Sequence, residues 1–382
     1  MPLPARTIRP SRRARNPLVI IGNAIFTLLL LGLIVGGGIT VVGKSRFEAP
    51  GPLTEDKVVQ IPRAGPLEIA DLLKREGIID ENRLVFAGGV LMLNAWSQLK
   101  AGEYNFPKQA SVRDVVQTLV DGKVVQHQIT IPEGFTSEQI VARLLESETL
   151  SGNIKDVPSE GSLLPDTYLF NRGFPREQLI KRMREAQDRL VQEVWLRRNP
   201  DLPLKTPAQL VVLASIIEKE TARPEERTRV AAVFANRLKQ KMRLQSDPTI
   251  VYGIVFGKGK LDRPLSRSDI AQATAYNTYV IDGLPPGPIA NAGRASIEAA
   301  ANPARTKDLF FVADGTGGHA FAETYEQHQK NVARLRVIEH GGDPTPPSAA
   351  ETKSWAPVAP TPAPRAKRNA PTAARSAGPA QQ

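Results

Sequence analysis

The longest unbroken pattern in the chain is an apolar one near its start. From Leu18 to Gly43, 26 residues pass without a charge. At ~1.5 Å of rise per residue this is enough helix to cross a hydrocarbon core ~30 Å thick with some tilt. Gly32 and Gly36 stand at a spacing that lets two such helices pair closely. A second pattern recurs: a period-2 strand, a turn, then apolar residues at helical spacing. Its first copy is Val58–Ile61, the turn Pro62–Gly65, and Ile69, Leu72 and Leu73. A weaker copy runs from Gly102–Phe106 through the cap Ser111 to Val112, Val115, Val116 and Leu119. The clearest partner of the first is Gln128–Ile131, the turn Pro132-Glu133-Gly134, and Ile140, Leu144 and Leu145.

Farther on the spacing becomes helical throughout. Leu179, Ile180, Met183, Ala186, Leu190, Val191, Val194 and Trp195 predict an amphipathic helix over Pro175–Arg198. Thr206 is a good N-cap, Pro207 suits a first helical turn and Gln209 completes a capping box. From Leu210 to Ile217 only Ser215 is polar, so this helix is expected to be buried. Pro224 opens another, with Val230, Val233, Phe234 and Leu238 on its apolar face. The pattern predicts an α+β protein. A basic segment (1–17) precedes an apolar helix (18–43) and a linker (44–56). A small α+β region (57–150) and a larger mixed domain (151–341) follow, and a Pro/Ala-rich tail (342–382) has too little apolar content to bury a core.

Charge changes the picture only once it is located. The 382 residues carry a net +11, but five arginines fall in 1–17 and the segment 344–382 contributes +4, leaving +2 for everything between. The folded part has no basic stripe, and nucleic acid is not an expected partner. The arginines before the apolar run place the N-terminus in the cytoplasm and the rest beyond the inner membrane, as a single-pass protein with the bilayer as a partner through residues 18–43. A cleaved signal peptide is the alternative, against which stand the length of the run and the lack of an Ala-x-Ala site. Cysteine is absent, and His127, His319, His328 and His340 show no metal-ligand spacing, so no metal or cofactor is expected.

Candidate chemistry concentrates at the end of the apolar helix. Glu218 lies one turn above Ala214 and two above Val211. Apolar neighbours and a helix C-terminus both disfavour a charged carboxylate, as general-acid catalysis requires. The alternative is that Glu218 begins a solvated helix end and pairs with Lys219 or Arg223. Four further stretches mix amides, hydroxyls and rings with Pro and Gly: Glu160–Phe170, Leu244–Gly253, Tyr276–Asn291 and Phe310–Thr324. Such composition suits a sugar cleft, where amides and carboxylates bond hydroxyl groups and rings pack on sugar faces. The proline run Pro285-Pro286-Gly287-Pro288 would hold a fixed wall. Ordinary turn chemistry accounts for any one stretch alone.

Taken together, these stretches resemble the endolytic murein transglycosylase (YceG-like) family. Ala214-Ser-Ile-Ile-Glu218-Lys-Glu-Thr221 and Gly283-Leu-Pro-Pro-Gly-Pro288 carry the likeness most specifically. One departure is Asn291-Ala292-Gly293, where the family often has proline in the middle. The resemblance covers roughly 18–335. It implies a LysM-like module over 57–150, for which a plain spacer domain is the alternative since no row of sugar-stacking rings is evident, and a catalytic domain over 151–341. It also implies peptidoglycan glycan strands as substrate and wall synthases as partners. The implied reaction cuts the β-1,4 bond between N-acetylmuramic acid and N-acetylglucosamine and leaves a 1,6-anhydro ring without net use of water. Glu218 matches the family's catalytic glutamate. In that reading it protonates the leaving oxygen and then takes the proton of the C6 hydroxyl. Gln245, Ser246, Asp247, Asn277 and Tyr279 are candidates for positioning sugar, with Asp166, Tyr168, Glu160, Pro285, Pro286 and Asn291 behind them. The rivals are a hydrolytic muramidase using Asp247 as its second carboxylate, and a non-catalytic wall-binding scaffold.

Overall fold

The computed structural model describes residues 17–80 and 82–339. The basic segment before it and the tail after 341, with His340, lie outside the described residues. Helix α1 (Pro17–Glu48) is long and apolar enough to span a bilayer, and its large apolar side chains from Leu18 to Val42 are exposed. It runs on into the expected linker. Phe47 is buried, and a Cβ on Gly89 would fall 2.0 Å from its ring. Gly51 and Leu53 are likewise packed, so 44–56 is not a free tether.

Two compact units follow. The first runs to Ile129 and takes in Tyr168–Phe174; the second takes Thr130–Thr167 and the chain from Pro175 on. The boundary expected at residue 150 therefore falls inside the second unit.

In the first unit, strand β1 (Lys57–Ile61) pairs antiparallel with β2 (Gly102–Phe106), with Lys57 opposite Phe106 and Ile61 opposite Gly102. Val59 and Ile61 face the core while Val58 faces out, the alternation a one-sided sheet requires. Helices α2 (Pro66–Arg75), α3 (Arg83–Met92) and α4 (Val112–Asp121) bury Ile69, Leu73, Phe86, Val90, Val115 and Leu119. A full Ser111–Asp114 capping box opens α4. Helix α3 is absent from the sequence expectation because its glycines, Gly88 and Gly89, blur the apolar spacing. Strand β3 (His127–Thr130) follows, and its partner β5 (Thr167–Phe170) returns much later.

The second unit continues with α5 (Ser137–Glu146), the two-residue strands β4 (Leu150–Ser151) and β6 (Phe174–Pro175), α6 (Arg176–Leu196) and α7 (Pro207–Glu220). Helices α8 (Arg227–Lys239), α9 (Asp247–Val255), α10 (Arg267–Ala271) and α11 (Arg294–Ala301) come next. The antiparallel hairpin β7 (Phe310–Ala313) and β8 (His319–Ala322) precedes α12 (Tyr325–Glu339). The core sits around α7. Leu210, Leu213, Ala214, Ile216 and Ile217 are fully buried among residues of α6, α8 and α11, so the apolar-all-round run is buried as expected. Thr206 caps α7 through Gln209 N, but the Gln209 side chain accepts from Lys205 N and not from the cap residue. Pro224 opens a 3-10 turn before α8 begins.

Candidate active site

Helix α7 delivers three polar side chains beyond its last buried turn: Glu218, Lys219 and Glu220. Ser215, one turn earlier, is fully buried. Its hydroxyl donates to Val212 O at 2.7 Å and accepts from Ile289 N at 3.0 Å. The lone polar residue of the apolar run thus fastens the loop that follows the proline run. Gly161 takes a left-handed turn, φ +73°, against both that loop and α7. A Cβ there would fall 2.6 Å from Pro288 and 2.9 Å from Val211.

Glu218 lies under this loop, with its side chain only 6% exposed. Its Oε2 accepts from Gly293 N at 2.9 Å, and its Oε1 lies 3.5 Å from Arg227 Nη2. The alternative pairing with Lys219 or Arg223 is not made; Arg227, from the start of α8, takes that place. The same Nη2 stands 3.2 Å from Glu133 Oε2. Glu133 comes from the turn Pro132-Glu133-Gly134, which is stapled to the loop by Gly134 N donating to Asn291 O and Asn291 N donating to Phe135 O, both at 2.9 Å. Gly134 has φ +75°, and a Cβ there would fall 3.5 Å from Glu218 Cγ. Burial, and next the charge of Glu218, hold the Glu133 carboxyl above the usual carboxylate range, with Arg227 working the other way.

Two residues on, Glu220 meets a second polar cluster. Ser246 Oγ donates to its carboxylate, and Tyr279 Oη donates to Asp247 Oδ1 at 2.6 Å. Burial pushes Glu220 up to about 7; the Ser246 hydrogen bond opposes this and the charge of Asp247 adds to it. Arg237, drawn down to about 10 by burial, donates to Leu309 O and Leu244 O and borders Gln245. Beside the Asp247 cluster opens a cleft of about 400 Å³. Thr136, Lys219, Asp247, Tyr252, Lys260 and Ile289 are among the residues that line it. Tyr252, Phe256 and Tyr276 form a ring cluster with centroids 4.8 to 6.2 Å apart, and Phe256 is 59% exposed.

Of the sequence-derived candidates, Asp247 and Tyr279 stand together at the cleft, with Gln245 half-buried behind them. Others are turned inward. Asn277 is fully buried and donates to Ile270 O and Gln272 O, while its Oδ1 accepts from Tyr279 N. Asn291, also fully buried, donates to Phe135 O, Ser137 Oγ and Glu160 Oε1 and accepts from Leu163 N. Ser246 is 1% exposed and committed to Glu220. Glu160, raised by burial, accepts from Ser137 N and Tyr252 Oη. These four hold loops in place, and the fully buried Asn277, Asn291 and Ser246 present no free face to a ligand. Pro285 is buried and Pro286 exposed on the rim. Asp166 is exposed near Glu133, and Tyr168 is buried in the first unit. Sequence reasoning missed Glu133, Arg227, Glu220 and Phe256. Only Glu133 had a local signal, a carboxylate held in a Pro-x-Gly turn.

Residues 59–334 match the model of the YceG-like family. The chain belongs to that family. Among YceG-like relatives, a Bacillus subtilis (strain 168) protein named endolytic murein transglycosylase is 33% identical over 338 residues, 78% of this chain and 90% of that protein. A protein of the same name from Streptococcus pneumoniae serotype 2 (strain D39) is 30% identical over 315 residues; the match covers 70% of this chain and 56% of the longer pneumococcal one. A crystal structure of a YceG-like protein from Listeria monocytogenes aligns with 72% of this chain and 98% of its own, at 30% identity and a TM-score of 0.46.

Proposed function

We propose that this chain is a membrane-anchored endolytic transglycosylase. It cuts the β-1,4 bond between N-acetylmuramic acid and N-acetylglucosamine in nascent peptidoglycan and leaves a 1,6-anhydro end. The observation that carries the reading is the lodging of Glu218 at the joint of α7, the Gly293 loop and the Glu133 turn, one residue before Lys219, which lines the cleft with Asp247 and Tyr252. The names of the YceG-like relatives support the same reaction class.

The reaction needs a proton on the leaving oxygen as positive charge develops at C1, and a base for the C6 hydroxyl as its oxygen closes on C1. The nucleophile is tethered to the reacting sugar, so no enzyme nucleophile and no water is required. Glu218 is the carboxyl whose loss stops this chemistry. Asp247 and Tyr279 bind the sugar hydroxyl and acetamido groups, and the exposed ring of Phe256 packs on a sugar face. Helix α1 holds the enzyme on the outer side of the inner membrane, where strands emerge from wall synthases. Cutting there ends glycan elongation. The first unit acts as a LysM-like glycan-binding module ahead of the catalytic domain.

The test is product analysis on uncrosslinked glycan strands. Wild-type protein yields anhydro ends, and Glu218→Gln yields none while still binding glycan. A product heavier by one water makes the protein a muramidase, with the exposed Asp247 carboxylate activating water. Absence of any product from the wild type makes it a wall-binding scaffold.

A further inference from the structure

We propose that Glu133 is a second catalytic carboxyl: it hands its proton to the leaving glycosidic oxygen while Glu218 takes the proton from the C6 hydroxyl. This rests on the transglycosylase reading above and divides between two residues what one would otherwise do in turn. Three observations carry it. First, the two side chains converge although 85 positions separate them in the chain. Both reach Arg227 Nη2, at 3.2 Å from Glu133 and 3.5 Å from Glu218. Both also meet Gly293: Glu218 accepts its N–H, and the Glu133 carboxylate lies over its α-carbon, where a Cβ would fall 1.8 Å from Oε1.

Second, the pair is unequally held. Glu218 has a backbone N–H and the guanidinium; Glu133 has the guanidinium alone, with Asp166 as a further negative neighbour. The two carboxylates share one guanidinium in a partly dry site, and Glu133 is the more weakly held of the two. The upward direction already noted for Glu133 agrees with this. Third, access is unequal: Glu133 is 41% exposed and Glu218 only 6%. Glu133 is therefore the carboxyl a polymer can reach, and Glu218 sits deeper.

The step balances. The Glu133 O–H breaks and its proton goes to the bridging O4, as the C1–O4 electron pair leaves with that oxygen. The C6 hydroxyl oxygen bonds C1, and its proton goes to Glu218. Transfer of that proton back to Glu133, directly or through one water, restores the pair with no net water used.

The experiment compares purified full-length wild type, Glu133→Gln, Gly293→Ala and Glu218→Gln on two substrates. One is natural uncrosslinked glycan; the other is a short glycan whose reacting muramic acid carries a nitrophenol leaving group, which departs without an acid. Gly293 has φ −73° and ψ 168°, so alanine is tolerated by the backbone and acts by displacing the end of the Glu133 side chain. Expected for Glu133→Gln and Gly293→Ala is a loss of ~100-fold or more on natural glycan, but only about fivefold on the nitrophenyl substrate. Glu218→Gln gives no detectable anhydro product on either. Equal losses for Glu133→Gln on both substrates, or activity within about tenfold of wild type on natural glycan, overturn the assignment and leave the Glu218 reading standing. A wild type that makes no anhydro product on either substrate fails the function reading and takes this one with it. If Glu133→Gln does not fold, Gly293→Ala decides by the same criteria.

Discussion

Replacing Glu220 by glutamine should change the pH dependence of stability more than stability itself. The side chain ends α7 under Ser246, with Asp247 and Arg237 nearby. Its carboxyl titrates near 7 in the fold, against 4.5 for an ordinary glutamate. Between those values the native state holds a proton that the unfolded chain has released. Stability from this residue is therefore fully present below about pH 4.5 and is lost as pH rises through 7. A difference of about 2.5 pH units corresponds to on the order of 3 kcal/mol. Glutamine cannot ionise, yet its carbonyl can still accept from Ser246 Oγ. The assay is urea unfolding of both proteins in the same non-ionic detergent at pH 4.5, 6, 7 and 8, followed by tryptophan fluorescence. Titrating groups that do not interact with Glu220 cancel in the difference between the two curves. That difference should be small at pH 4.5 and should favour the variant by about 3 kcal/mol at pH 8. Curves that stay parallel within about 0.5 kcal/mol across the range would show that Glu220 titrates normally, and that the Ser246 cluster does not hold a proton.

Three other outcomes follow from the hydrogen-bond geometry. Asn277→Ala should destabilise by roughly 2–4 kcal/mol in thermal or urea unfolding, because it empties a fully buried site and strips the carbonyls at 270 and 272 and the Tyr279 amide of their partner. Ser215→Ala should cost about 1–3 kcal/mol by leaving Ile289 N unpaired, and should lower kcat with it, because the loop that carries Gly293 loses an anchor; unchanged kcat at reduced stability would separate that loop from catalysis. Tyr279→Phe should leave stability within about 1 kcal/mol and raise KM for glycan several-fold, since the lost hydroxyl meets only Asp247 at the cleft; a purely thermal effect with KM unchanged would remove the pair from the binding surface.

How much of this was legible beforehand depended on range along the chain. The apolar run 18–43, the strand–turn–helix copies and the burial of α7 are local matters: each is written in the spacing of side chains within one element, and each is found in the structure. The position of Glu218 at the end of a buried helix follows from the same spacing. Helix α3 escaped because Gly88 and Gly89 break the periodicity that would announce it, while serving the close approach of Phe47.

The partners of the polar residues lay beyond that range. Amide-rich stretches signal both a sugar cleft and a tied-down loop, and composition cannot separate the two. Only the fold showed Asn277 and Asn291 directing every hydrogen bond inward, while Asp247, Tyr279 and Phe256 stay at an open face. The sequence by itself determined which helix ends in a carboxylate and which segment is long and apolar enough for a membrane, because periodicity and capping act within a few residues. The tertiary structure alone decided that Glu218 would share one guanidinium with Glu133, because that meeting depends on how the 131–137 turn, the 288–293 loop and α8 stack against one another.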